Sequence, residues 1–366
     1  MGLILFYTKG WLKTPNQNVK SYFPLVQGLT VIVVIRNEEA HIKACIQSIL
    51  SQSYDSDLFE IIVVDDFSTD SSVSKVEEFK EKVKLIRLAD TLGPKFASLA
   101  NKKRGITQAV EQAKYEFVLC GDGDCVYGPD WIKSMMQYYE KYNKQFFSAP
   151  VEFQRGDSIW RKFLDMDQIA MIGVTAGSIG QKKPVMANGA NMFFVKQTFY
   201  EVGGYEDNND VASGDDVFLM QKIFIQDQKT IGFVKNKQAI SQTAAPKSFR
   251  EFLNQRIRWT SKSAQMIDPK VKAVLTFNYL FYLSCFMNLF VLPWVDISFL
   301  FIGIVMLALK MFIDTLFFSN MLAFFDRKDL FNYMLPIQLM HITYVSLLGV
   351  LAIFGNYTWK GRRINR

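Results

Sequence analysis

The sequence predicts an α/β domain on a mostly parallel sheet with helices on both faces, followed by C-terminal transmembrane helices. Three observations predict it. β-Branched runs alternate with helical periodicity as far as Gly121. Acidic residues stand just beyond three of those runs. Finally, residues 271–366 hold only 8 Lys+Arg and 4 Asp+Glu, arranged around long uncharged stretches. The mean hydropathy of +0.07 over 366 residues is therefore an average of two unlike parts.

Composition excludes several classes. With 32 Phe, 15 Tyr and 6 Trp the chain can bury far more surface than a disordered one. Two histidines, His41 and His341, exclude a multi-histidine zinc site and disfavour a histidine triad. The four cysteines form no CxxC pair and read as reduced, buried residues. Any catalysis then rests on carboxylates, amides, basic groups or a metal held by oxygen. No nucleic-acid partner is expected.

Residues 1–27 are read as a separate N-terminal segment. Gly2 to Tyr7 is apolar but too short to span, and reads as an interfacial anchor or the remnant of a span. The α/β domain is placed at 28–246. Thr30 to Ile35 is a strand buried on both faces, and Asn37 is the expected cap of a helix carrying Ile42, Cys45, Ile46, Ile49 and Leu50. Glu60 to Val64 is a second strand, stopped by Asp65-Asp66. Lys84 to Leu88 is a third, and Glu116 to Cys120 a fourth, preceded by a helix over 102–112. Ligands of such sheets bind outside the carboxyl ends of the strands.

The fourth strand runs into Gly121-Asp122-Gly123-Asp124. A dinucleotide fingerprint would need a third glycine, and Val126 stands there. Two carboxylates would repel a diphosphate unless a divalent cation stood between them. Asp122-x-Asp124 thus reads as a metal-diphosphate site, against the alternative of solvated turn residues. Asp66 reads as a ligand group for a base or ribose, or as part of an Asx turn with Ser68 and Asp70. After Ser213-Gly214, one of Asp215 and Asp216 reads as a helix cap and the other as a general base.

Residues 247–270 are read as an interfacial helix opened by a capping box, Ser248 and Glu251. Phe249, Phe252, Leu253 and Ile257 form its apolar stripe, and Gln255, Arg258 and Trp259 a separate face. Arginine suits a diphosphate, glutamine offers donor and acceptor, and an aromatic ring suits the apolar face of a sugar. Residues 271–366 are read as a membrane region of two to three spans. Ala273 to Val295 and Asn332 to Phe354 carry no charge, and Ile297 to Phe318 carries only Lys310 and Asp314, spaced to pair. Basic clusters at Lys262, Lys270 and Lys272, at Arg327 and Lys328, and at Lys360 to Arg366 do not settle the side of the C-terminus.

Together these segments resemble the family 2 glycosyltransferases of GT-A fold, especially their membrane-embedded branch. The resemblance runs over about residues 28–265. It rests on VIRNEE (residues 34–39), Asp65-Asp66-Phe67-Ser68, Asn101-Lys102-Lys103, Asp122-Gly123-Asp124, Asn188 to Asn191, Gly203-Gly204-Tyr205, Asp215-Asp216 and Gln255 to Trp259, a QxxRW motif. Three departures stand out: Asn101 replaces a glycine, Asp215 replaces the commoner glutamate, and no gating-loop motif follows Trp259.

The resemblance implies a nucleotide-diphosphate sugar donor, UDP-linked, bound through Arg36, Glu38, Asp65, Asp66, Lys102, Asp122 and Asp124. It implies Mg2+ or Mn2+ on Asp124 assisted by Asp122, and Asp216 as base beside Asp215. Gln255, Arg258 and Trp259 would meet the acceptor and diphosphate, the acceptor being a glycan or lipid-linked hydroxyl. The expected setting is a bilayer: a multi-pass protein of a bacterial-type cytoplasmic membrane with its catalytic domain in the cytosol. Three rivals remain: a sugar-phosphate nucleotidyltransferase, a two-carboxylate hydrolase, and a membrane scaffold with an inactive nucleotide-binding domain.

Overall fold

The computed structural model describes residues 2–17, 26–93, 102–208, 214–261, 269–354, 357–359 and 362–364. Asn101, Ser213, Lys262, Lys360 and Arg366 lie outside the described residues. The chain divides into two compact units. One comprises Gly10–Gln154 and Val174–Ala244, the other Met1–Lys9, Arg155–Gly173 and Ala245–Arg366.

The first unit is built on strands β1 (Leu29–Ile35), β2 (Phe59–Asp65), β3 (Val83–Arg87), β4 (Phe117–Asp122), β5 (Cys125–Tyr127), β6 (Phe146–Ser148), β7 (Val151–Phe153), β8 (Asn191–Val195), β9 (Ile231–Phe233) and β10 (Ser241–Thr243). Among the described residues seven of them form one sheet in the order β3-β2-β1-β4-β8-β6-β9. β3, β2, β1 and β4 run parallel, with Val31 opposite both Ile61 and Leu119. β8 runs antiparallel to β4 and β6, and β9 parallel to β6. β5, β10 and β7 make a smaller sheet.

The β-branched run of β1 is central because its residues can be dry on both faces: Leu29 to Val33 are fully buried. One face packs on the Ile42–Leu50 helix, whose Ile42, Cys45, Ile46 and Ile49 are inaccessible to water. Each such isoleucine contributes on the order of 1.5–3 kcal/mol by burial. On the same side Phe147 and Phe193 stack at 4.2 Å.

The expected strands and the 102–112 helix are present within one or two residues, the helix as Lys102–Glu111. The expected cap is not. Asn37 has a left-handed φ of 51°, and its amide oxygen accepts from Thr69 N–H at 2.8 Å, so it ties the β1 and β2 exits together instead of opening the helix. Residues Gly10 to Gln17, read as part of a separate N-terminal segment, fall in the sheet unit. There Gly10 approaches Gly177 so closely that a Cβ would lie 1.8 Å from the Gly177 carbonyl oxygen. Trp11 is 1% exposed beneath the Lys235 ammonium.

The second unit contains the helices Phe249–Ser261, Pro269–Phe286, Ser298–Phe324 and Met334–Phe354. Half of the predicted capping box forms: Glu251 N–H donates to Ser248 Oγ, while the Glu251 carboxylate accepts from Lys247 N–H, one residue before the cap. Pro336 falls in a first turn, where its missing N–H costs nothing. Among the described residues two segments are long and apolar enough to cross a membrane, Thr276–Trp294 and Ser298–Phe324, the second about 40 Å long at the α-helical rise. Their outward side chains, such as Phe277, Phe301 and Phe312, are strongly exposed. Lys310 and Asp314 pair as their spacing predicts, and both also bond Gln338.

Candidate active site

The carboxyl ends of β1, β2 and β4 deliver the acids and bases that the sequence singles out. Gly123 lets the β4 exit lie against β1: a Cβ there would stand 2.7 Å from Ile35 and 3.3 Å from Glu38. Glu38 is buried, and its N–H donates to Ser72 Oγ at 2.7 Å. Arg36 donates from Nη1 to the carbonyl oxygens of Asp66 (2.6 Å) and Phe67 (3.0 Å). It braces the turn in which Phe67 takes a φ of 55°. Asp65 accepts from Ser68 N–H three residues on, which holds the turn after β2 without the two-residue span of an Asx turn, and Asp66 beside it is 1% exposed. Burial raises the Asp65 carboxyl above the usual carboxylate range, partly countered by the Ser68 donors and by Arg87 and Arg36.

Lys102, at the start of its helix, is the hub. Its Nζ donates to Asp122 Oδ1 at 2.6 Å and to the Gly189 carbonyl at 2.8 Å, and lies 3.0 Å from Asp215 Oδ2. Burial opposes its charge, but the attraction of Asp122 and Asp215 prevails and holds the ammonium above the usual lysine range. Asp215 and Asp216 open the Asp215–Gln226 helix after Gly214, whose φ of 92° suits glycine. Both are buried, and Asp216 Oδ1 accepts from Val217 N–H at 2.8 Å.

Gly189 fits closely among these groups. A Cβ there would lie 2.8 Å from Asp215 Oδ2, 3.3 Å from Lys102 Nζ and 3.4 Å from Asp216 Cβ. Its loop is held by Asn188, which donates to Ala149 O, and by Asn191, which donates to Pro150 and Ala239 and accepts from Trp131 Nε1. The geometry thus brings together Lys102, Asp122, Gly189, Asp215 and Asp216. Cys45, Cys120 and Cys125 lie nearby as buried thiols, raised by burial and by the acids around them, and supply no nucleophile.

Among the described residues no three acidic, histidine or cysteine side chains converge as a complete metal site. Asp122 and Asp124, separated by Gly123 and both partly exposed, offer hard carboxylate oxygens. That donor set fits a Mg2+ or Mn2+ ion whose remaining ligands come from a diphosphate and water.

Gln255, Arg258 and Trp259 belong to the other unit. All three are half-buried, and the expected apolar stripe holds only in part: Phe252 and Ile257 are buried, whereas Phe249 is 49% exposed. Arg256, which sequence reasoning placed on neither face, is 4% exposed because Asp167 receives its guanidinium. Asp165 and Asp167 were likewise missed. The available signal was two carboxylates within an otherwise apolar stretch of the Ile159–Gly180 helix.

The model of "Glycosyl transferase family 2" matches residues 30–202, and that of "Glycosyl transferase family group 2" matches residues 117–326. The poly-beta-1,6-N-acetyl-D-glucosamine synthase of Staphylococcus epidermidis is 23% identical over 253 residues, 68% of this chain but only 58% of that protein. The enzyme of the same name from Staphylococcus aureus (strain COL) is 21% identical over 295 residues, 80% of this chain and 67% of its own. The mannosyltransferase PcManGT from Pyrobaculum calidifontis, solved in complex with GDP-Man and Mn2+, shares the fold with a TM-score of 0.56 at 19% identity, over 96% of this chain and 95% of that one. The sheet order and these likenesses agree on a GT-A fold, and with a family model matched over more than half its length the chain belongs to glycosyl transferase family group 2: it is a glycosyltransferase.

Proposed function

We propose that the chain is a membrane-anchored, inverting glycosyltransferase that moves a sugar from a UDP-linked donor to a hydroxyl of a glycan or lipid-linked acceptor. The observation that carries the reading is the cluster of Lys102, Asp122 and Asp215 around Gly189, at the strand ends where α/β sheets bind ligands. The catalytic domain is 28–246, with its donor face formed by Arg36, Glu38, Asp65, Asp66, Lys102, Asp122 and Asp124. The segment 247–270 meets acceptor and diphosphate through Gln255, Arg258 and Trp259, all on the Phe249–Ser261 helix. Residues 271–366 anchor the enzyme by two to three spans, with the catalytic domain on the cytosolic side.

Asp122 and Asp124 would hold Mg2+ or Mn2+, which supplies positive charge to the leaving diphosphate. Lys102, kept charged by its two acids, adds a cation beside it. Asp216 takes the proton of the acceptor hydroxyl as that oxygen attacks the anomeric carbon opposite the diphosphate. The relatives named as poly-N-acetylglucosamine synthases favour UDP-N-acetylglucosamine as the first donor to try.

The test is a panel of labelled nucleotide-sugars offered to membranes bearing the enzyme, with Mn2+ or with EDTA, and NMR of the anomeric configuration of the product. Transfer that continues in EDTA, or a product that retains the donor configuration, would sink the mechanism.

A further inference from the structure

The membrane-side unit contains a buried charge pair that the reaction scheme leaves without a task. Asp167 is 5% exposed and Arg256 4%. The Asp167 carboxylate accepts from Arg256 Nη2 through Oδ2, and from the Tyr344 hydroxyl at 2.9 Å through Oδ1, with His341 Nε2 3.6 Å away. The Arg256 guanidinium carbon in turn lies 4.2 Å from the centroid of the Trp259 ring and 4.9 Å from that of Phe252. Carboxylate, guanidinium and indole form one connected series, and Trp259 at its end remains half-buried. A buried ion pair is a poor device for stability alone, because well-packed apolar residues of the same volume serve as well or better. A planar guanidinium against an indole does something an apolar side chain cannot: it fixes the ring by charge and by flat stacking.

A second pair on the same helix gives the contrast. Asp165 accepts from Arg327 Nη1 at 2.5 Å, and Arg327 also bonds Asp329. That pair ties the Ile159–Gly180 helix to the segment after the Ser298–Phe324 helix and shares no residue with the Asp167–Arg256–Trp259 series.

We infer that Asp167 is a positioning residue: through Arg256 it sets the orientation of the Trp259 ring against which the acceptor sugar stacks. The inference rests on the reading of Gln255, Arg258 and Trp259 as the acceptor side.

The test uses the full-length enzyme in membranes, UDP-N-acetylglucosamine as donor and a β-1,6-linked N-acetylglucosamine oligosaccharide as acceptor. Donor hydrolysis without the oligosaccharide reports the state of the sheet unit. Asp167→Asn keeps the volume and the oxygen that Tyr344 bonds, but loses the charge that holds Arg256. It is expected to raise the acceptor KM roughly tenfold, with donor KM and donor hydrolysis within about twofold of wild type. Asp167→Glu should recover most of the loss. Asp165→Asn should leave the acceptor KM unchanged. Combined with Trp259→Ala, Asp167→Asn should add less than about a twofold effect, because both act through one ring.

Independent effects in that cycle, or an equal loss of donor hydrolysis, overturn the inference. So does a normal acceptor KM in Asp167→Asn when Trp259→Ala is impaired, and this outcome leaves the acceptor reading standing. Trp259→Ala with a wild-type acceptor KM, or a wild type that transfers nothing to this oligosaccharide, overturns the acceptor reading and the inference with it. Should Asp167→Asn not accumulate, Arg256→Lys keeps the ion pair but removes the flat face under Trp259. It must then show the same acceptor defect, and an unaffected acceptor KM refutes the inference.

Discussion

The Lys102 ammonium donates to Asp122 Oδ1 at 2.6 Å, joining the start of one helix to the end of β4. With Asp215 3.0 Å away, one cation is shared between an acid at the end of β4 and an acid at the start of the Asp215–Gln226 helix. Without that cation the two carboxylates would face the same space with their mutual repulsion unrelieved.

Lys102→Met should therefore harm the donor step without unfolding the protein. A charge-assisted contact to a diphosphate is worth about 2 kcal/mol, so kcat/KM for the donor should fall about 30-fold. The raised pKa also fixes the pH response. A lysine whose folded value lies above its unfolded value contributes fully below the unfolded value, about 10.4, and loses that contribution only as pH rises through the folded one. The activity of the wild type should accordingly show no alkaline decline attributable to Lys102 below about pH 10. A pH–rate profile of wild type against Lys102→Met checks both statements, and an alkaline limb near neutrality that vanishes in the variant contradicts them.

Asp65 titrates in the opposite sense from a salt-bridged carboxylate. Burial raises its folded value, so the native state binds its proton more tightly than the unfolded chain does. Stability tied to this group is then present at low pH and lost as pH rises from the unfolded value, about 3.9, through the higher folded one. Asp65→Asn keeps an oxygen for Ser68 N–H and removes the desolvated charge. Its Tm at pH 7 should equal or exceed that of the wild type by a degree or two, while the gap closes near pH 4, as calorimetry or fluorescence melting in detergent can measure. A Tm lower by several degrees at pH 7 would show the charge to be stabilising.

Gly189→Ala tests the fit of the cluster. The added methyl carbon would stand 2.8 Å from Asp215 Oδ2 and 3.3 Å from Lys102 Nζ, both ends of side chains that can move. The fold should tolerate the change within about 1 kcal/mol, whereas displacing the charged groups by a few tenths of an ångström should lower kcat/KM by about tenfold or more. Activity and melting of the same preparation decide it: parallel losses would mean that Gly189 serves the fold rather than the site.

Much of this was legible in the residues, and the reason differs from place to place. β1 could be read because a β-branched run buried on both faces has few alternatives, and the place of Asp122-Gly123-Asp124 at the β4 exit because the apolar run before it ends there. Ser248 caps Glu251 N–H as their spacing predicts, although the Glu251 carboxylate reaches back to Lys247 N–H. Asn37 could not be read, because the cap and the cross-loop tie call for the same side chain, and only the position of Thr69 chooses between them. Arg256, which periodicity assigned to neither face, is buried because Asp167, nearly ninety residues earlier in the chain, makes a buried arginine cheaper there, while Phe249 of the expected stripe is exposed. Charge partners distant in sequence leave no mark on local pattern.

Asp215 and Asp216 adjoin in sequence and burial, and the proposed division of labour gives them separate roles. Asp215 Oδ2 lies beside the Lys102 ammonium, so its charge is committed to holding that cation. Asp216 accepts from the N–H of the next residue through Oδ1, a backbone contact at a helix start that favours the carboxylate. Asp216→Asn should lower kcat by about 10³-fold with little change in donor KM, the size of effect that positioned general-base catalysis supplies. Asp215→Asn should instead raise donor KM, since Lys102 loses one of its two anchors, and should lower kcat by less than about tenfold. Steady-state kinetics of the two single variants separate the roles. If Asp215→Asn abolishes turnover while Asp216→Asn retains it, the base is Asp215, and Lys102 then acts on the base itself rather than on the leaving diphosphate.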